Sequence, residues 1–367
     1  MISMNKWLVA LAVGAALSVT ACGDSEEQSA VTKAAGKQEK VVAKKGSETA
    51  EAKAENQQEI VVYSSRKEHL IKPFFEQFTK ETGIPVIYIT DAAAPLISRL
   101  KAEGERSPAD ILMTVDAGNL WQATQEGVLQ PLESEVLEAN IPESLQDPDN
   151  EWFGLTVRAR TIVYSKERVQ PDELTTYEAL GDEQWQGRLC LRTSKKVYNQ
   201  SLVAMLIARH GEEKAQQIVE GWVANLATDP FSNDTKVMKA IEAGACDVGI
   251  VNTYYFGRLE KDNPEIPLAL FWPNQQTTGV HVNVSGAGIT KHSSNVENAT
   301  KLLEWLSSAE AQQMYAGLNM EYPANPEIKP VPEVEAWGSF KADDMNLSKA
   351  GELQPQAVKV MDRAGYK

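Results

Sequence analysis

Apolar and polar positions switch between two periods along most of this chain. Ile60-Val61-Val62-Tyr63 reads as a buried strand, and the turn Ser64-Ser65-Arg66-Lys67-Glu68 then opens a helix. Ser65 with Glu68 three residues on predicts a capping box at that start. Leu70, Ile71, Phe74, Phe75 and Phe78 recur at helical spacing and predict its buried face, and Gly83 ends it. A strand over 84–89, a helix over 95–102, a strand over 109–115 and a helix over 117–125 follow. Repeated strand–helix–strand units imply a parallel-rich sheet covered on both faces. A long strand over 152–164 leads to a second set: strand 188–192, helices 197–210, 212–223 and 235–244, strand 247–251 and helix 254–260. Another long strand, 279–289, leads to helices 296–307 and 309–318, parted at Ser307-Ser308, and a terminal helix covers 354–364. So many elements exceed one hydrophobic core, and the pattern predicts two α/β lobes.

The first residues do not fit this pattern. Met1 to Ala21 carries one early basic residue, Lys6, and an apolar run from Trp7 to Val19. The run is too short to span a bilayer comfortably, and small residues precede Cys22, so 1–21 reads as a signal peptide. A cysteine directly after those small residues resembles a bacterial lipobox, which makes Cys22 the candidate lipidation site. Residues 22–58 hold almost no large apolar side chains and mix Ala, Lys, Glu, Gln, Ser and Thr. Such a segment cannot offset its ordering entropy and predicts a disordered linker. A lipid anchor plus a solvated linker would hold the lobes near a membrane without embedding them, the anchor being the only membrane contact.

The formal net charge of −15 argues against a nucleic-acid partner, because such binders carry basic patches. Of three cysteines, Cys190 and Cys246 remain for the lobes. Each lies at or beside a strand of the second set. They form a disulfide in an oxidising compartment or stay as two buried thiols; neither has a CxxC partner. The four histidines, His69, His210, His281 and His292, show no metal-like spacing. No GxSxG, HExxH, GxGxxG or P-loop stands at a strand–helix junction, so no enzyme chemistry is signalled.

The candidate chemistry lies in tyrosines. Tyr254 and Tyr255 end the strand Val248-Gly249-Ile250-Val251-Asn252, and Tyr198 opens the helix after Arg192-Thr193-Ser194. A phenol has a resting pKa near about 10, and a strongly charged hard cation can displace its proton. Several phenolates at one point would make a hard anionic oxygen site suited to ferric ion. In open α/β sheets, ligands sit beyond the carboxyl ends of strands, where these turns fall. Taken alone, the pair Tyr254-Tyr255 reads better as core packing.

The chain resembles the periplasmic ferric-ion-binding proteins of bacterial ABC importers. The segments that carry the resemblance are Val62-Tyr63-Ser64-Ser65-Arg66, Ser107 to Asp116, Arg158-Ala159-Arg160, Val197 to Leu202, Asn252 to Tyr255, Gly279 to Gly288 and Glu321 to Pro326. Their order and spacing over 59–367 make it specific. The resemblance implies a two-lobed periplasmic-binding-protein fold of type II, each lobe a mixed, mostly parallel sheet flanked by helices, with a ligand cleft between them. Lobe 1 would comprise 59–157 and 282–330, and lobe 2 158–281 and 331–367, with crossings near Val157 and Val282. It implies ferric iron bound by Tyr198, Tyr254 and Tyr255. Some members continue the Ser-Ser-Arg turn with His-Tyr ligands, whereas this chain has Lys67 and Glu68 there. Members with three tyrosines complete the shell with a synergistic anion such as carbonate. Arg66 matches the anion-holding arginine, and Arg158 and Ser194 are further candidates. The implied partner is an inner-membrane ABC permease, served by a periplasmic monomer that is not an enzyme. The competing readings are a solute-binding protein for an organic or phosphorylated anion, and a cleft enzyme.

Overall fold

The computed structural model describes residues 59–367. The expected signal peptide, the lipidation candidate Cys22 and the expected linker lie outside the described residues. The chain begins with β1 (Ile60–Ser64), α1 (Lys72–Thr82), β2 (Val86–Thr90), α2 (Ala93–Glu103), β3 (Ile111–Val115) and α3 (Ala117–Gln125). β1 pairs in parallel with both β2 and β3. α1 buries Phe74, Phe75 and Phe78 and stops where Gly83 takes the left-handed conformation at φ 76°. Its start is not the predicted capping box. Ser65 is still held in the sheet, its amide donating 2.8 Å to the Met113 carbonyl. Its hydroxyl accepts from the Val115 amide at 3.0 Å instead of capping. Glu68 turns away and accepts from the Tyr88 hydroxyl at 3.1 Å.

After the short α4 (Glu135–Asn140) comes β4 (Phe153–Ser165), thirteen residues that are all buried. The second set follows: β5 (Leu189–Cys190), α5 (Val197–His210), α6 (Glu212–Ala224), α7 (Asp234–Glu242), β6 (Val248–Asn252), α8 (Thr253–Asp262) and β7 (Leu268–Phe271). β8 (Val282–Ile289) returns the chain to the first set, followed by α9 (Val296–Leu306), α10 (Ala309–Asn319) and β9 (Tyr322–Pro323). Ser307 ends α9, and the Ser308 side chain caps α10 by accepting from the Ala311 amide. The tail forms α11 (Pro332–Glu335), α12 (Ser348–Glu352) and α13 (Gln354–Arg363).

β4 joins two sheets. Its residues Phe153 to Ala159 pair with β8, and Arg160 to Tyr164 pair with β6. Every antiparallel strand pairing here involves β4 or β8, while β1–β2, β1–β3 and β5–β6 are parallel. The sheets are therefore mixed, and parallel order is confined to the strand–helix–strand sets. One core gathers Ile60, Phe74, Ile111, Phe153 and Leu302. Another gathers Ile162, Leu202, Trp222 and Val248 on one face of the second sheet, and Val163, Val237 and Val251 pack on its other face. The tail serves both sides: Leu347 joins the first core, Val360 and Met361 the second.

Cys190 and Cys246 are disulfide-bonded, their Cα atoms 5.9 Å apart. The bridge closes a loop of 56 residues. Loop-closure entropy for that length stabilises by about 4 kcal/mol. Soft thiolates do not suit a hard cation, and the bridge takes both out of metal chemistry. A Cys190→Ser, Cys246→Ser variant should lose roughly that much stability in a urea titration while keeping its metal affinity; lost affinity in a folded variant would contradict this.

Candidate metal centre

β5 and β6 run parallel as neighbours, so the turns after them open on the same edge of the second sheet. The first turn leads into α5, whose second residue is Tyr198. The second leads into α8, which starts at Thr253 and places Tyr254 and Tyr255 in its opening turn. That junction solves the facing problem. Neighbours on a strand point to opposite faces, but neighbours in a helical turn do not. The Tyr254 and Tyr255 rings lie 4.4 Å apart at 36°. Burial raises the Tyr254 phenol well above its usual range, and the nearby Tyr198 and Tyr255 phenols add to the rise. The three tyrosines thus share one electrostatic neighbourhood.

Arginines surround them. Arg158, on β4, is 2 % exposed, and its guanidinium lies 5.4 Å from the Tyr198 ring centre. Nη1 donates 3.0 Å to the Ser285 hydroxyl, and Nη2 sits 4.0 Å from Asp116 Oδ2. Nε and Nη2 are buried and make no hydrogen bond. Arg66 is placed differently. Its Nη2 donates 3.0 Å to Glu321, Nη1 reaches Thr156 at 3.4 Å, and only Nε is left without a partner. Burial opposes the Arg66 charge, yet Glu321, Tyr315 and Tyr254 together hold it above its usual range. Arg66 therefore reaches Tyr254 electrostatically while pairing with a carboxylate. Ser194 bonds elsewhere: its amide donates 2.9 Å to the Lys367 carbonyl, and its own carbonyl accepts from Gln200.

Sequence reasoning did not nominate Arg192, although it stands at a cleft-facing turn. Its guanidinium lies 5.1 Å from the Tyr198 ring centre. Burial opposes its charge, and Asp234, then the Tyr255 and Tyr198 phenols, outweigh that and raise it. Asp234, fully buried, sits between Arg192 at 3.4 Å and Arg160 at 3.1 Å. Arg160 also donates to Asn199 at 2.5 Å and to Asn252 at 3.4 Å. Asn199 follows Tyr198, and Asn252 lies two residues before Tyr254. One buried ionic group thus supports both tyrosine-bearing turns.

The turn after β1 leaves Lys67, Glu68 and His69 exposed. Among the described residues, no three His, Cys, Asp or Glu side chains group to hold a metal. A cation here would be met by phenols, with guanidinium groups beside them for an anion.

A fold of two α/β halves joined by long shared strands, with candidate ligands at strand ends, defines a binding module. The bacterial extracellular solute-binding protein model matches residues 74–342, and the chain belongs to that family, a family of binding proteins rather than enzymes. It is 45% identical over 317 residues to iron uptake protein A1 of Synechocystis sp. (strain ATCC 27184 / PCC 6803 / Kazusa), covering 85% of this chain and 88% of that protein. A Trichodesmium protein (IdiA, FutA) solved in complex with iron and citrate ligands is 44% identical with a TM-score of 0.81, over 84% of this chain and 100% of that one. A ferric iron-binding protein A of Mannheimia haemolytica, solved in an open conformation, is 40% identical with a TM-score of 0.78, over 84% and 98% of the two chains.

Proposed function

We propose that this protein captures ferric iron in the periplasm and delivers it to an ABC transporter permease, with Tyr198, Tyr254 and Tyr255 as phenolate ligands. The observation that carries the reading is three phenols on neighbouring strand–helix turns, Tyr254 and Tyr255 ring to ring and Tyr198 within electrostatic reach of Tyr254, while among the described residues no three His, Cys, Asp or Glu side chains group to hold a metal. Three phenolates neutralise a trivalent ion and match its hardness. The iron-related names of the relatives above support the same reading.

An octahedral ion would have positions left over. We assign them to a synergistic anion, carbonate or a carboxylate chelator such as citrate, together with water. Arg158 is its principal holder, because two of its buried donors, Nε and Nη2, make no hydrogen bond. Arg66 and Ser194 would be secondary, since Arg66 already pairs with Glu321. Cys22 would carry a lipid that tethers a monomeric receptor to the membrane through 22–58. Mass spectrometry of membrane-extracted protein showing an unmodified Cys22 would remove that part.

The two lobes, 59–157 with 282–330 and 158–281 with 331–367, would close as rigid bodies about β4 and β8. Scattering curves of apo and iron-loaded protein should differ, and superimposable curves would count against closure.

A visible spectrum tests the whole reading. Ferric phenolate absorbs visible light by charge transfer, so adding ferric ion with bicarbonate or citrate should colour the protein. A colourless protein that binds phosphate or an organic anion would replace iron with the anion reading.

A further inference from the structure

The turn between β3 and α3 holds a side chain that the proposed ligand set does not use. Asp116 is fully buried and adopts φ 80°, a conformation that a non-glycine residue keeps only when its surroundings hold it there. Its Oδ1 accepts from the Gly118 amide at 3.0 Å and from the Ser201 hydroxyl at 2.8 Å. Its Oδ2 accepts from the Asn283 side-chain amide at 3.0 Å and faces Arg158 at 4.0 Å. These partners stand on α3, α5, β8 and β4. Of them, only Ser201 lies on a helix of the second core.

Ser201 follows Tyr198 by three residues, so the two side chains share a face of α5. A serine inside a helix ordinarily bonds back to its own preceding turn or points to water. Ser201 is fully buried and bonds instead to a carboxylate 85 residues away in sequence. Asp116 also faces Arg158, whose guanidinium covers the Tyr198 ring. One carboxylate thus meets both the helix that carries Tyr198 and the cation beside its ring.

We propose that Ser201 is a positioning residue of the metal site: its bond to Asp116 ties the opening turns of α5 to the first lobe and holds the Tyr198 phenol where Tyr254 and Tyr255 meet. The inference rests on the iron reading. Serine at this buried helical position is thereby explained, since alanine would serve helix formation better.

The test uses the full chain loaded with ferric ion and bicarbonate, with release to a competing chelator followed at the phenolate band. Ser201→Ala should release iron about tenfold faster or more, the scale of one hydrogen bond to a charged acceptor. The association rate should stay near wild type. Ser201→Cys, a weaker donor of similar size, should fall between. In a Tyr198→Phe background the Ser201→Ala effect should disappear, because the two act through one ligand. Unchanged release in Ser201→Ala, or equal acceleration in both backgrounds, overturns the inference while a coloured wild type leaves the iron reading standing. A wild type that never colours ends both.

Discussion

Tyr254→Phe should bleach or shift the visible band of the iron-loaded protein and cut ferric affinity far beyond the roughly 10–100-fold typical for loss of an outer-shell partner. The variant removes one anionic ligand and little else. Tyr254 is 7 % exposed, and its ring packs with Tyr255, Met320 and Val334, contacts that phenylalanine retains. Its hydroxyl accepts only a long hydrogen bond, 3.4 Å from Asn252 Nδ2. Apo stability should therefore change by no more than about 1 kcal/mol. The pH dependence gives a second readout. Burial holds this phenol above its usual range, so Tyr254 is protonated in the apo protein at neutral pH. Each phenol that ligates must release a proton, so affinity rises with pH and falls in acid. Removing one phenol should lower the slope of log affinity against pH by about one proton. Tyr198→Phe and Tyr255→Phe should behave alike. Three variants with wild-type colour, affinity and slope would mean that the tyrosines are core residues.

Local signals carried much of this architecture, and long-range pairing decided the rest. Helix 197–210 was legible to the residue, because Gly211 stops it and Leu202 to Ala208 form a continuous apolar run. The strand ahead of Tyr254 was legible from Val248 to Val251, and the helical turn that brings the tyrosines together was the condition for their use. The predicted capping box failed because Ser65 is claimed by β3, a partner fifty residues away that no local rule contains. For the same reason the resemblance marked Arg66 as an anion-holding candidate but gave no sign of its partner Glu321, 255 residues on. Arg192 lay within a turn already singled out, and a basic residue ahead of a helix start was the available signal. Asp116 caps α3 through the Gly118 amide, a local contact; its bond to Ser201 depends on how the two sheets meet.

Asp234→Ala should destabilise the protein by about 3–5 kcal/mol and weaken iron binding in whatever remains folded. Asp234 is a single carboxylate shared by two buried guanidiniums, Arg160 at 3.1 Å and Arg192 at 3.4 Å, and it also accepts from the Asn252 amide at 3.0 Å. Deleting it leaves two cations and one amide without that acceptor, in a region 0–6 % exposed. An uncompensated buried charge costs more than the pair contributed when intact. The consequence for binding follows from geometry. Arg160 is anchored by Asp234 and grips Asn199 and Asn252, which flank the tyrosine-bearing turns. Arg192, which lies 5.1 Å from the Tyr198 ring centre, would lose the carboxylate that fixes it there. Asp234→Asn keeps the shape and the acceptor for Asn252 but not the charge, so its loss should be smaller. Urea titrations of wild type and both variants, with the phenolate band recorded on each folded baseline, separate the two effects. If Asp234→Ala unfolds within about 0.5 kcal/mol of wild type, as an ordinary surface substitution does, the buried group does not hold these turns together.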